Sequence, residues 1–167
     1  MPIGARISVP ERALCAPMTV GRAPASAATR RRAQLFVALI ALVLVQLGHI
    51  LDQLRWSSGA TFPSVLTGEQ NGQLGIVLAL VALLALAMRS EYAPQLAAVA
   101  GVAVSIGFVL YHGIPFKFGV NNPYWGPNGH ADAIRWLTVL AAIAVAVTVV
   151  RLALDLKKVD TRPSTAQ

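Results

Sequence analysis

The sequence predicts an all-α protein: a four-helix transmembrane bundle with a structured external loop between its third and fourth spans. Three observations lead there. Hydrophobic residues make up 56% of the 167 and charged residues only 13%, against roughly 45–50% and about 25% in a soluble domain. The mean hydropathy is +0.62. The apolar residues also gather in four runs rich in Ala and Leu, without the alternation of a half-buried strand. Within hydrocarbon a helix is the simplest element that satisfies its own backbone.

The first span is expected over about residues 35–56, with Gln46, His49, Asp52 and Gln53 in its second half. The second has a short apolar run, residues 74–88, so reaching about 20 residues means starting near residue 70. A third, 94–112, opens on Pro94, which a helix tolerates in its first turn. The fourth covers 132–154. Around this membrane domain (33–155) lie a basic tail, 1–32, whose Pro/Ala/Arg-rich composition predicts disorder, and a shorter tail, 156–167. Met18 is an alternative start, which would remove Cys15, the only cysteine. With one cysteine no intramolecular disulfide can form.

The net charge of +7 is a topology signal here rather than a nucleic-acid footprint. Arg30, Arg31 and Arg32 precede the first span, Lys157, Lys158 and Arg162 follow the last, and no aromatic-interleaved basic patch accompanies them. With a cytoplasmic N-terminus, eleven of the fourteen Lys and Arg residues fall inside and only Arg55, Lys117 and Arg135 outside, as the positive-inside rule requires. Both termini are therefore expected in the cytoplasm and the chain in a plasma membrane. A rival reading treats the first run as a signal peptide cleaved near Ser58-Gly59-Ala60. It would remove His49 and Asp52. Helical character continuing through Trp56 speaks against it.

Small residues recur at helical spacing: Gly75 and Ala79; Ala97, Gly101 and Ser105; Ala142 and Ala146. Such faces let backbones approach closely in lipid. Packing within the chain is the simpler reading, and homodimerisation through one face the alternative.

Candidate functional residues cluster on the outer side. Gln46, His49 and Gln53 stand at i, i+3 and i+7, one helical face, with Asp52 alongside. A central Asp costs roughly 2.5–3.5 kcal/mol in a membrane on insertion scales unless it faces the interior, so this face should point inward. His112 ends the third span. The external loop carries Pro115, Pro123, Gly126, Pro127 and Gly129, all helix breakers, together with Tyr124, Trp125 and His130. Trp56, Trp125, Trp136 and Tyr124 read as an interfacial lid at headgroup level. Asp132 precedes the fourth helix, where it can cap free N–H groups, leaving Arg135 and Trp136 in a first turn at the headgroups. The expected ligand or partner pocket comprises His49, Asp52, Gln53, His112, Trp125, His130 and Asp132. His49, His112 and His130 are candidate metal ligands, for a divalent metal. His49 and His112 are also candidates to bracket a haem b as axial ligands. No HxxxH, HExxH or CxxC spacing supports either cofactor. No G-x-S-x-G, P-loop or dinucleotide fingerprint is present, and no catalytic residue is assigned.

The segments "GHILDQLRW", "GFVLYHGIPF" and "ADAIRW" resemble four-span membrane proteins of actinobacteria, a family with no assigned activity. The resemblance covers about residues 33–155. It implies a bacterial plasma membrane and carries over no functional residues. Three functions are therefore weighed: a non-catalytic accessory protein, a metal- or haem-binding redox or sensing protein, and a transporter or channel subunit. Transport normally needs polar groups near midplane, where these spans have few. The partners implied are the lipid bilayer and, at the outer face, a second copy or another membrane protein.

Overall fold

The computed structural model describes residues 26–56, 70–116, 123–126 and 131–160, and among them the chain is entirely helical or irregular. Among the described residues there are four helices: α1 (Ala27–Trp56), α2 (Gln70–Ala87), α3 (Ala93–Phe108) and α4 (Ala133–Asp160). A π-helical turn, Val109–Gly113, continues α3. Helix α1 packs on α2 and α4, and α3 packs on the same two.

Each helix begins and ends for a local reason. Ser26 caps α1, its Oγ accepting the Thr29 N–H at 3.2 Å, which satisfies one of the orphan donors of a first turn. That cap starts α1 eight residues before the expected span, since Arg and Ala are good helix formers whatever their depth. α2 closes with two bonds that satisfy its last carbonyls, Arg89 N–H to Leu86 O at 3.1 Å and Ser90 N–H to Ala85 O at 2.9 Å. The geometry demands a left-handed residue just beyond the helix, and Arg89 supplies it with φ of 55°. Pro94 occupies the first turn of α3. Asp132 Oδ1 accepts the Arg135 N–H at 2.9 Å and so caps α4.

The buried positions keep a near-3.5-residue rhythm. On α4 they are Arg135, Val139, Ala142, Ala146, Val149, Ala153 and Leu156; on α1, Leu35, Leu39, Leu42, Gln46, His49 and Gln53. Such spacing keeps one seam facing its neighbours along a long helix. Leucines from α1 meet alanines from the others, among them Ala79, Ala82, Ala97 and Ala146. The small-residue faces pack inside this one chain. A Cβ at Gly101 would lie 2.6 Å from the Ala146 carbonyl oxygen, so glycine there sets how closely α3 approaches α4. The opposite faces remain apolar and open: Leu44 is 61% exposed and Leu137 67%. Exposed apolar faces of this extent mark contact with lipid or another protein. Three helical stretches, Ala27–Arg55, Ala93–Gly113 and Ala133–Val159, are long and apolar enough to cross a bilayer, while the apolar stretch Leu74–Ala87 is shorter.

Candidate functional site

The same seam of α1 that buries leucines in its first half buries Gln46, His49 and Gln53 in its second. The polar face read from the sequence does point inward. Gln46 donates to the Leu42 carbonyl at 3.3 Å and lies against Gly75 of α2; a Cβ at that glycine would collide with it.

His112 reaches the seam because of the π-turn. Buried residues on α3 are Ala93, Pro94, Ala97, Ala100, Gly101 and Val104. At about 100° per residue, a straight continuation would bring Tyr111 nearer the middle of that face and leave His112 toward its edge, roughly 60° from the middle. The wider π-turn rotates less per residue and turns His112 inward, where it is 2% exposed. π-turns of this kind recur at functional sites.

The two imidazoles meet through their Nε2 atoms, 3.3 Å apart, with ring centroids 5.0 Å apart and planes at 70°. Phe108 packs edge-on against His49 at 4.9 Å. From the loop, Tyr124 lays its ring over His112 at 4.0 Å and donates its backbone N–H to the His112 carbonyl at 3.1 Å. Trp125 pins the same loop by donating Nε1–H to the Gly113 carbonyl at 2.8 Å. Gly126, with φ of 82°, runs against the Pro115 carbonyl where a side chain would collide.

A charged layer lies above the imidazoles. Arg135 donates to Gln53 Oε1 at 2.9 Å and places its Nε 3.6 Å from Asp52 Oδ2. Its guanidinium sits over the Tyr124 ring at 5.1 Å. Arg55 donates to Asp52 Oδ1 at 2.8 Å and to Asp132 Oδ2 at 2.9 Å, linking α1 to the cap of α4. The Arg135 backbone N–H and the Arg55 guanidinium hold the Asp132 carboxyl below the usual carboxylate range. Because Gln53 Oε1 is taken by Arg135, the amide nitrogen faces His49 Nε2 at 3.3 Å and Tyr124 Oη at 3.4 Å. His49 Nε2 is then an acceptor and its proton lies on Nδ1, an atom with no hydrogen-bond partner among the described residues.

Of the expected site residues, His49, Gln53 and His112 converge. Asp52 is buried beside them but faces the two arginines. Trp125 is half exposed at the rim and serves as a loop pin. Asp132 is the cap and the Arg55 partner, and His130 lies outside the described residues. One expectation needs correction. Arg135 is buried rather than held at a headgroup, because Asp52 and Gln53 draw it inward. His49 and His112, the two residues expected on either side of a haem, here touch each other directly. Reading the sequence alone missed Arg135, Arg55 and Tyr124 as members of the cluster. The only signal was their placement near His112 and Asp132 in a chain poor in charge.

No protein family, curated protein or solved structure matches the chain. Three apolar helices nonetheless make it compatible with a membrane protein.

Proposed function

We propose that the chain is a non-catalytic accessory protein of a bacterial plasma membrane, crossing it four times with both termini cytoplasmic. In this reading the polar end binds one metal ion between His49 and His112. The Nε2 separation of 3.3 Å carries it. Two imidazole nitrogens, each about 2.0–2.1 Å from a tetrahedral metal, stand roughly 3.3–3.4 Å from one another. Gln53 and Tyr124 border His49 Nε2 on one side. Imidazole suits Zn²⁺ and other divalent transition-metal ions.

The rest of the cluster supports an ion-sized ligand. Rings in contact and paired charges fill the space around the imidazoles. The two carboxylates, Asp52 and Asp132, offset the two guanidiniums, Arg55 and Arg135, so the site is neutral before the ion arrives. Metal content of detergent-purified full-length chain, compared with the His49→Gln/His112→Gln variant, tests this. About one ion per chain lost in the variant is expected; equal retention by both would exclude the site.

A further inference from the structure

The opposite end of the helices carries a second, differently built feature. Between the first turns of α1 and the end of α2 lies a cleft of about 460 Å³, lined by Ala28, Thr29, Arg32, Ala33, Phe36, Leu86, Ala87 and Arg89. Arg32 and His49 stand seventeen positions apart on α1, about 25 Å at 1.5 Å per residue, so the cleft is independent of the histidine site.

Its chemistry is graded. Phe36, Leu86 and Ala33 form an apolar side, while Arg32, Arg89 and the Thr29 hydroxyl supply donors. The positive end of the α1 dipole lies at the same level. Two planar guanidiniums match the oxygens of a phosphate or carboxylate through paired donors. Arg30, Arg31, Lys157 and Lys158 share this end of the molecule, which the Arg31–Asp155 pair at 3.8 Å brings together. Basic pockets between membrane helices are suited to anionic headgroups.

Arg89 adds an independent observation. It holds the left-handed backbone position that ends α2, with φ of 55°, where glycine would sit without strain. A strained residue that the local backbone does not favour points to use of its side chain. At Arg89 that side chain is a guanidinium lining the cleft.

We propose that this cleft binds the phosphate of an anionic phospholipid, clamped by Arg32 and Arg89, with the apolar side receiving the first carbons of an acyl chain. The strain at Arg89 supplies a clean test. Arg89→Gly removes the guanidinium while giving the backbone the residue it prefers, so it leaves folding intact or improved. The full chain in detergent is titrated with phosphatidylglycerol or phosphatidylcholine and bound lipid is read by native mass spectrometry. Wild type is expected to prefer phosphatidylglycerol. Losing one charge-assisted contact should weaken that binding about ten- to a hundredfold in Arg89→Gly, with thermal stability unreduced, and further in Arg32→Gln/Arg89→Gly. Inorganic phosphate at millimolar concentration should not displace the lipid. Equal binding of the two lipids overturns the proposal. So does undiminished phosphatidylglycerol binding by Arg89→Gly, and displacement by inorganic phosphate would assign the cleft to a free anion instead.

Discussion

His49 and His112, sixty-three residues apart in sequence, bring their Nε2 atoms to 3.3 Å. The contact joins α1 to the π-turn that continues α3. Tyr124 closes over it from the loop, and Arg135 fastens it to α4. Much of the polar end is organised around this pair, and the expectations below follow from it and from the packing beneath it.

The ion pair between Arg135 and Asp52 is buried, with side chains 8% and 4% exposed. Removing one partner of a buried pair typically costs about 3–5 kcal/mol, because the other charge is stranded. Asp52 keeps Arg55 as a partner, so Arg135→Met is expected at the lower end, about 3 kcal/mol. Asp52→Asn/Arg135→Met should cost less than the two single changes summed. Thermal unfolding in detergent of all three variants checks this, and strict additivity would mean the pair is not coupled.

Gly75 and Gly101 both sit at close helix approaches but should respond differently to alanine. The Gly101 Cβ would meet backbone, the Ala146 carbonyl oxygen at 2.6 Å, and Val150 Cγ2 at 2.7 Å. Backbone cannot step aside, so Gly101→Ala is expected to cost about 1–3 kcal/mol as overpacking. At Gly75 the nearest obstacle is the flexible end of Gln46, which can rotate away. Gly75→Ala should therefore be the milder change, and thermal stability of the two variants side by side decides the order.

Asp132 gives the fold an acid-sensitive cap. Its carboxyl titrates below the ordinary carboxylate range because the Arg135 N–H and Arg55 stabilise the charged form. A group whose folded pKa is depressed contributes stability above its unfolded value, near 3.9 for Asp, and that stability is lost as pH falls through the lower folded value. Melting temperature should thus decline as pH drops from about 5 through 3. In Asp132→Asn, which keeps a capping oxygen but no charge, that decline should be shallower. Identical slopes in both proteins would remove Asp132 from the account.

How much of this could be read from residues alone varies by feature. The four helices were legible because long Ala- and Leu-rich runs admit little else in a chain so poor in charge. Their ends were less so: α1 starts at Ala27 and α4 runs to Asp160, since a capped helix continues past the apolar stretch into Arg- or Lys-bearing turns. The inward face of Gln46, His49 and Gln53 followed from spacing. His112 was expected as its partner from its place at the end of the third span, but the π-turn that aims it inward was not, because such a turn breaks the periodicity these arguments use. Arg135 and Tyr124 have the composition of headgroup anchors, and only the tertiary placement of Asp52 and Gln53 makes them buried members of a network.

The most direct measurement is the metal content of the purified full-length chain after loading with Zn²⁺ and removal of free ion. Wild type, His49→Gln/His112→Gln and the loop variant Tyr124→Phe are compared at matched folding by circular dichroism. The account expects about one ion per chain in wild type, retention in Tyr124→Phe, and none in the histidine double variant. Metal-free wild type, or a double variant that still carries its ion, would contradict it and leave the imidazole pair as a structural contact between α1 and the π-turn.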